Sequence, residues 1–110
     1  TPIRDYLHVM DVAEGHLKML EKLINEPPQI STLNLGRGFG ISTLELIKVF
    51  QEINNVFIPF EYSERRLGDV AQLIADNSLL LDTLKWKPER NLEEMCIDGW
   101  KWKNLNPLGY

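Results

Sequence analysis

Cysteine is almost absent from this 110-residue chain: Cys96 is the only one, so no internal disulfide forms and a reducing, cytoplasmic setting is expected. Long apolar runs are missing too. None approaches the ~20 residues of a membrane-spanning helix, and no secretory signal pattern opens the chain. Excess positive charge is lacking: 12 Lys and Arg stand against 16 Asp and Glu, a net charge of -4. That balance argues against a nucleic-acid backbone or an anionic membrane as partner. The two histidines, His8 and His16, have no cysteine or carboxylate at metal-ligand spacing, so packed or hydrogen-bonded roles are expected and no metal. No Tyr-x-x-x-Lys pair occurs, and no Ser-His-Asp or Cys-His set can be argued from spacing. A complete catalytic apparatus is not encoded here.

What is present is an ordinary globular composition, 44% hydrophobic and 25% charged, of a length that fits one modest core. The chain opens on Thr1 directly into an extended stretch, Ile3 to Val9, as expected for a piece of a longer protein. From Asp11 the pattern becomes helical, with Ala13, Leu17, Leu20 and Ile24 on one face and Pro27-Pro28 as the stop. Ile30 to Leu35 reads as a strand. Ser42-Thr43-Leu44-Glu45 is a capping box opening a helix that turns Leu46, Val49, Phe50 and Ile53 inward. Val56 to Phe60 reads as a strand at a sheet edge, because Pro59 lacks the ladder donor. Leu73 to Ala75 predicts a further very short strand, and Asp76-Asn77 the start of a short helix through Leu84. Asn91 with Glu94 starts a last helix through Lys101, whose stripe is Leu92, Met95, Cys96, Gly99 and Trp100. The expected class is α/β, with three or four short strands and about four helices.

Gly36-x-Gly38-x-Gly40, between a predicted strand and a capped helix, imitates a dinucleotide fingerprint, and Glu61 even stands about where a ribose partner belongs. The third glycine comes one residue too early, and the chain cannot supply two βαβ halves, so a tight structural turn is the favoured reading. A different segment carries binding chemistry. Ser63-Glu64-Arg65-Arg66-Leu67-Gly68-Asp69 sets two guanidinium groups and a carboxylate on a glycine-punctuated loop. Guanidinium forks match phosphate oxygens in pairs, and a carboxylate accepts from sugar hydroxyls, which together describe a nucleotide. From these residues alone, a solvated turn with ion-paired arginines explains the loop as well.

Several segments, in order along the whole chain, resemble UDP-glucose 4-epimerases, which are extended short-chain dehydrogenase/reductases. They are Arg4-Asp5-Tyr6-Leu7-His8-Val9 through His16, Asn34 to Gly40, Arg65-Arg66-Leu67-Gly68-Asp69, and Trp100-Lys101-Trp102 with the close Pro107-Leu108-Gly109-Tyr110. The resemblance implies that residues 1–110 are a C-terminal UDP-sugar-binding domain. NAD and the catalytic tyrosine and lysine would lie on an N-terminal Rossmann domain absent from this chain. It further implies UDP-glucose and UDP-galactose as ligands, interconverted through a 4-keto intermediate, and a homodimeric parent. Arg4 and Arg66 match pyrophosphate-contacting arginines, and Asp69 matches the carboxylate that reads the ribose. Leu73 matches the position that faces the sugar, where its intermediate bulk departs from the family's tyrosine, cysteine or serine. A nucleotide-sugar dehydratase or decarboxylase of the same superfamily, or a non-enzymatic binding module, are the alternatives.

Overall fold

A computed structural model describes residues 1–109; the closing Tyr110 of the resemblance lies outside the described residues. Four helices surround a three-stranded sheet, an α/β arrangement as the sequence predicts. The strands are β1 (Ile3–Arg4), β2 (Ile41–Ser42) and β3 (Gln72–Leu73), in the order β2-β1-β3. β1 runs antiparallel to β2 and parallel to β3, with Arg4 opposite Ile41 on one side and Leu73 on the other. The ladder extends beyond the strands, where the Ile3 N–H donates to Ala71 O at 2.9 Å and Thr43 N–H to Pro2 O at 3.1 Å. Three segments far apart in sequence are thereby fixed side by side.

The helices are α1 (Val9–Asn25), α2 (Thr43–Asn54), α3 (Ser78–Leu84) and α4 (Leu92–Leu105). Two begin with reciprocal capping boxes, Ser42 with Glu45 and Asn91 with Glu94, each closing two otherwise free amides. The Glu45 carboxyl is held below its ordinary range, chiefly by the Ser42 hydroxyl and then by the Ser42 amide. α2 and α4 pack together, Phe50 meeting Trp100 edge to face at 5.8 Å. Cys96 lies buried there as a small apolar side chain; burial, then Glu93, raises its thiol pKa and keeps it protonated.

Three expectations are corrected. α1 starts at Val9, not near Asp11: His8 is its N-cap, and the ring Nδ1 accepts from the Met10 N–H at 3.0 Å. The apolar face of α1 is open, with Leu17 59%, Leu20 53% and Ile24 72% exposed; Asp11 and Gly15 are the residues that turn in. Neither Ile30–Leu35 nor Val56–Phe60 forms a strand. A β-ribbon needs a neighbour to satisfy its amides and carbonyls, and the three-stranded sheet offers these segments none. The short pairing segment Ile41–Ser42 lay hidden in front of the capping box.

Among the described residues the buried apolar ones are Ile41, Leu80 and Cys96, while Ile30, Phe57 and Leu108 stand almost fully open. The chain exposes 8399 Å². A compact monomer of this mass exposes roughly 6,300 Å² by the usual surface scaling. The radius of gyration, 16.8 Å, exceeds the ~13 Å expected for a self-contained domain of this length. Much apolar surface is thus organised without being covered.

Candidate nucleotide site

The middle strand builds the site. Because Arg4 pairs in register with Leu73, and Asp69 lies just before β3, the fold brings position 4 against positions 69–73. The Arg4 guanidinium donates through Nη1 to Ile3 O at 2.8 Å and Val70 O at 3.1 Å, and through Nη2 to Asp69 Oδ1 at 2.5 Å. The two partners are 27% and 28% exposed, open enough to meet a ligand. Asp69 Oδ2 makes no hydrogen bond with the described residues.

Arg66 belongs to the same turn, whose carbonyl accepts from the Asp69 N–H at 3.1 Å. Gly68 supplies the positive φ (84°) that the turn requires. The Arg66 side chain is exposed and pairs with nothing among the described residues, and so is a free cation on the turn that carries Asp69. An open cleft of about 510 Å³ is lined by Arg4, Asp5, Asn34, Leu73, Ile74 and Asp76, among others. Arg4 and Leu73 therefore share a hollow, Asp69 is tied to it through Arg4, and Arg66 stands outside its lining. Arg65 is likewise exposed and unpaired.

The glycine loop does something else. Asp5 Oδ1 accepts from the Arg37 N–H at 3.0 Å, and Oδ2 from the Gly38 N–H at 2.9 Å and the Ala75 N–H at 3.3 Å. Amides that would cradle a dinucleotide phosphate are filled by a carboxylate of the same chain. A Cβ on Gly36 would stand 2.5 Å from Ala75 Cβ, so the glycine is there for close packing. NAD does not fit this loop. Sequence reading missed the Asp5 role, although a carboxylate beside Arg4 and a triplet of glycines were both in view.

The remaining candidates are structural. His8 is buried, and since Nδ1 accepts the Met10 amide, Nε2 carries the proton and donates to Asp98 at 3.1 Å. His16 is exposed and bonded to Val12 O at 2.7 Å. Trp86 packs over Gly15, where an added Cβ would approach its ring to 3.2 Å. Among the described residues no group of histidine, cysteine and carboxylate side chains is placed to hold a metal, and no helix is long and apolar enough to cross a membrane.

Four helices with a small mixed sheet is an arrangement similar to part of solved UDP-glucose 4-epimerases. More narrowly, the chain is similar along its whole length to UDP-glucose 4-epimerases. It is 44% identical over 110 residues to the enzyme of Bacillus subtilis and 42% identical over 111 residues to that of Drosophila melanogaster, covering 100% of this chain in both cases. The chain spans about a third (32%) of the length of these curated relatives. Among solved structures, the Stenotrophomonas maltophilia epimerase with bound NAD and formylated UDP-arabinopyranose superposes with a TM-score of 0.89 at 47% identity, over 96% of this chain and 31% of that one. The Bifidobacterium longum epimerase in complex with NAD+ and UDP gives 0.90 at 35% identity, over 100% and 32%. No family model matches the chain.

Proposed function

We propose that this chain is the substrate-anchoring part of a UDP-glucose 4-epimerase. The complete polypeptide interconverts UDP-glucose and UDP-galactose, with NAD and the redox chemistry on an N-terminal Rossmann domain. The observation that carries the reading is the ion pair of Asp69 with Arg4, which lines one cleft together with Leu73, and the position of Arg66 on the same turn as Asp69, in a fold similar to UDP-bound epimerases. Arg4 and Arg66 grip the diphosphate, Asp69 accepts from the ribose, and Leu73, 62% exposed, faces the hexose. Such an anchor fixes the nucleotide end while leaving the sugar free to present either face to the nicotinamide. The uncovered apolar surface is the face on which the larger domain sits, and the buried single thiol agrees with a cytoplasmic location. The parent is a homodimer by the same resemblance.

The test is product analysis by NMR with the complete polypeptide and UDP-galactose. UDP-glucose as the product supports the reading; a 6-deoxy or decarboxylated sugar assigns the chain to a dehydratase or decarboxylase instead, and no turnover with retained UDP affinity to a binding module. In the active protein, Arg66→Ala is expected to lower kcat/KM by one to two powers of ten, the usual loss for a charge-assisted phosphate contact of roughly 1.5–3 kcal/mol. An unchanged kcat/KM removes Arg66 from the site. The isolated chain should show little UDP binding by calorimetry, because its cleft lacks the opposing wall; tight binding by the chain alone contradicts the division of labour.

A further inference from the structure

We propose that the Arg4–Asp69 ion pair is a selectivity device that makes the site prefer nucleoside diphosphates to bare pyrophosphate; this rests on the nucleotide-site reading above. The two groups assigned to different parts of the ligand hold one another at 2.5 Å. The guanidinium does not lie there by chance of a flexible side chain. Ile3 O and Val70 O fix its Nη1, so the fork is pinned with Nη2 toward Asp69.

A pinned, carboxylate-neutralised arginine is a poor trap for a free anion. An incoming phosphate meets the attraction of Arg4 weakened by the repulsion of Asp69, whose carboxylate is already bonded to the same guanidinium. That leaves Arg66, with its neighbour Arg65, as cations without a neutralising partner among the described residues. A ligand that also brings hydroxyl donors changes the balance. Asp69 Oδ2, which has no partner among the described residues, can accept from a ribose diol without parting from Arg4 through Oδ1. The diol draws the carboxylate's charge into its own hydrogen bonds, and the spare N–H groups of Arg4 then face the diphosphate less opposed. Ribose and diphosphate are therefore recognised jointly through one ion pair, and the sugar hydroxyls gate the phosphate contact.

The probes are inorganic pyrophosphate, UDP and 2′,3′-dideoxy-UDP, titrated by calorimetry into the complete polypeptide. Asp69→Asn keeps the shape and removes the charge. It is expected to tighten pyrophosphate binding about tenfold and to weaken UDP about tenfold, so that UDP and its dideoxy analogue bind alike. Asp69→Glu restores a carboxylate and is expected to return pyrophosphate binding toward the wild-type value, which keeps the test readable if the amide variant folds poorly. The gain must act through Arg4, so combining Asp69→Asn with Arg4→Met should abolish it relative to Arg4→Met alone. Pyrophosphate affinity unchanged or weakened in Asp69→Asn overturns the proposal while leaving a nucleotide site standing. A gain that survives in the double variant also overturns it, since mere removal of negative charge near Arg66 would then suffice. Failure of the wild-type protein to bind UDP at all removes the site and the device together.

Discussion

Asp11→Ala is expected to destabilise the folded chain by about 3–5 kcal/mol, the range for breaking a buried ion pair by deleting one partner. Asp11 is wholly buried (0% exposed) in the first turn of α1. Its Oδ1 accepts from Arg90 Nη1 at 2.5 Å and its Oδ2 from the Arg90 backbone N–H at 3.1 Å. Arg90 is the residue just before the Asn91 cap of α4, so this carboxylate clamps the start of one helix to the start of another. Deletion strands a backbone donor and leaves part of the guanidinium without its inner partner. Glu14 takes the other Arg90 nitrogen at 2.8 Å, and together Glu14 and then Asp11 hold the guanidinium proton more firmly than usual. Yet Glu14 is 41% exposed, and Glu14→Ala should cost no more than about 1 kcal/mol, as for other solvated pairs. The two variants differ by one carboxylate each on the same arginine. Urea-unfolding midpoints that fall equally in both would show that burial does not set the strength of this contact.

Local signals were legible where the chain satisfies itself locally. The Ser42–Glu45 box, the helix start at Asn91 with Glu94, the stop at Pro27-Pro28 and the short helix after Asn77 all depend on neighbours within a few residues, and they appear as predicted. The α4 stripe likewise meets α2 through Trp100 and buries Cys96. Ile30–Leu35 and Val56–Phe60 carry strand-like patterns, but a strand is a relation between segments, and these have no ladder to join. The α1 face Leu17, Leu20 and Ile24 shows the same thing for a helix: apolar periodicity marks a surface that can be buried, without naming what covers it. His8 as an N-cap was hidden because Ser, Thr, Asp and Asn are the usual caps, and Asp11 offered a more familiar start three residues later.

Site residues were found unevenly for a related reason. Arg66 and Asp69 stand in one loop and announced themselves by composition. Arg4 came in by resemblance, and nothing in spacing alone couples it to Asp69, 65 residues away. The parallel pairing of β1 with β3 makes that connection, and it also sets Leu73 opposite Arg4. The Asp5 knot was illegible for the same reason: it joins positions 5, 37, 38 and 75 by backbone donors, which carry no sequence signature.

That knot supports the second large effect. Asp5→Ala is expected to cost about 3 kcal/mol and to weaken ligand binding at the cleft, although Asp5 carries none of the proposed ligand contacts. Its two oxygens satisfy the Arg37, Gly38 and Ala75 amides; the Arg37 and Ala75 donors are partly buried, and each left without a partner costs about 1–3 kcal/mol. Ala75 follows β3 by two residues, so the same carboxylate that folds the glycine loop also fixes the end of the strand carrying Leu73. Loosening it lets β3 drift from β1, and the Arg4–Asp69 geometry depends on that pairing. Gly36→Ala attacks the knot from the other side, since the new methyl would sit 2.6 Å from Asp5 Oδ2 and 2.5 Å from the rigid Ala75 Cβ. Both variants should therefore lower the unfolding midpoint and UDP affinity together, whereas Arg66→Ala should lower affinity alone. If Asp5→Ala lost stability at full UDP affinity, the glycine-loop knot and the nucleotide cleft would be mechanically independent, and the link from Asp5 through β3 to Arg4 would be wrong.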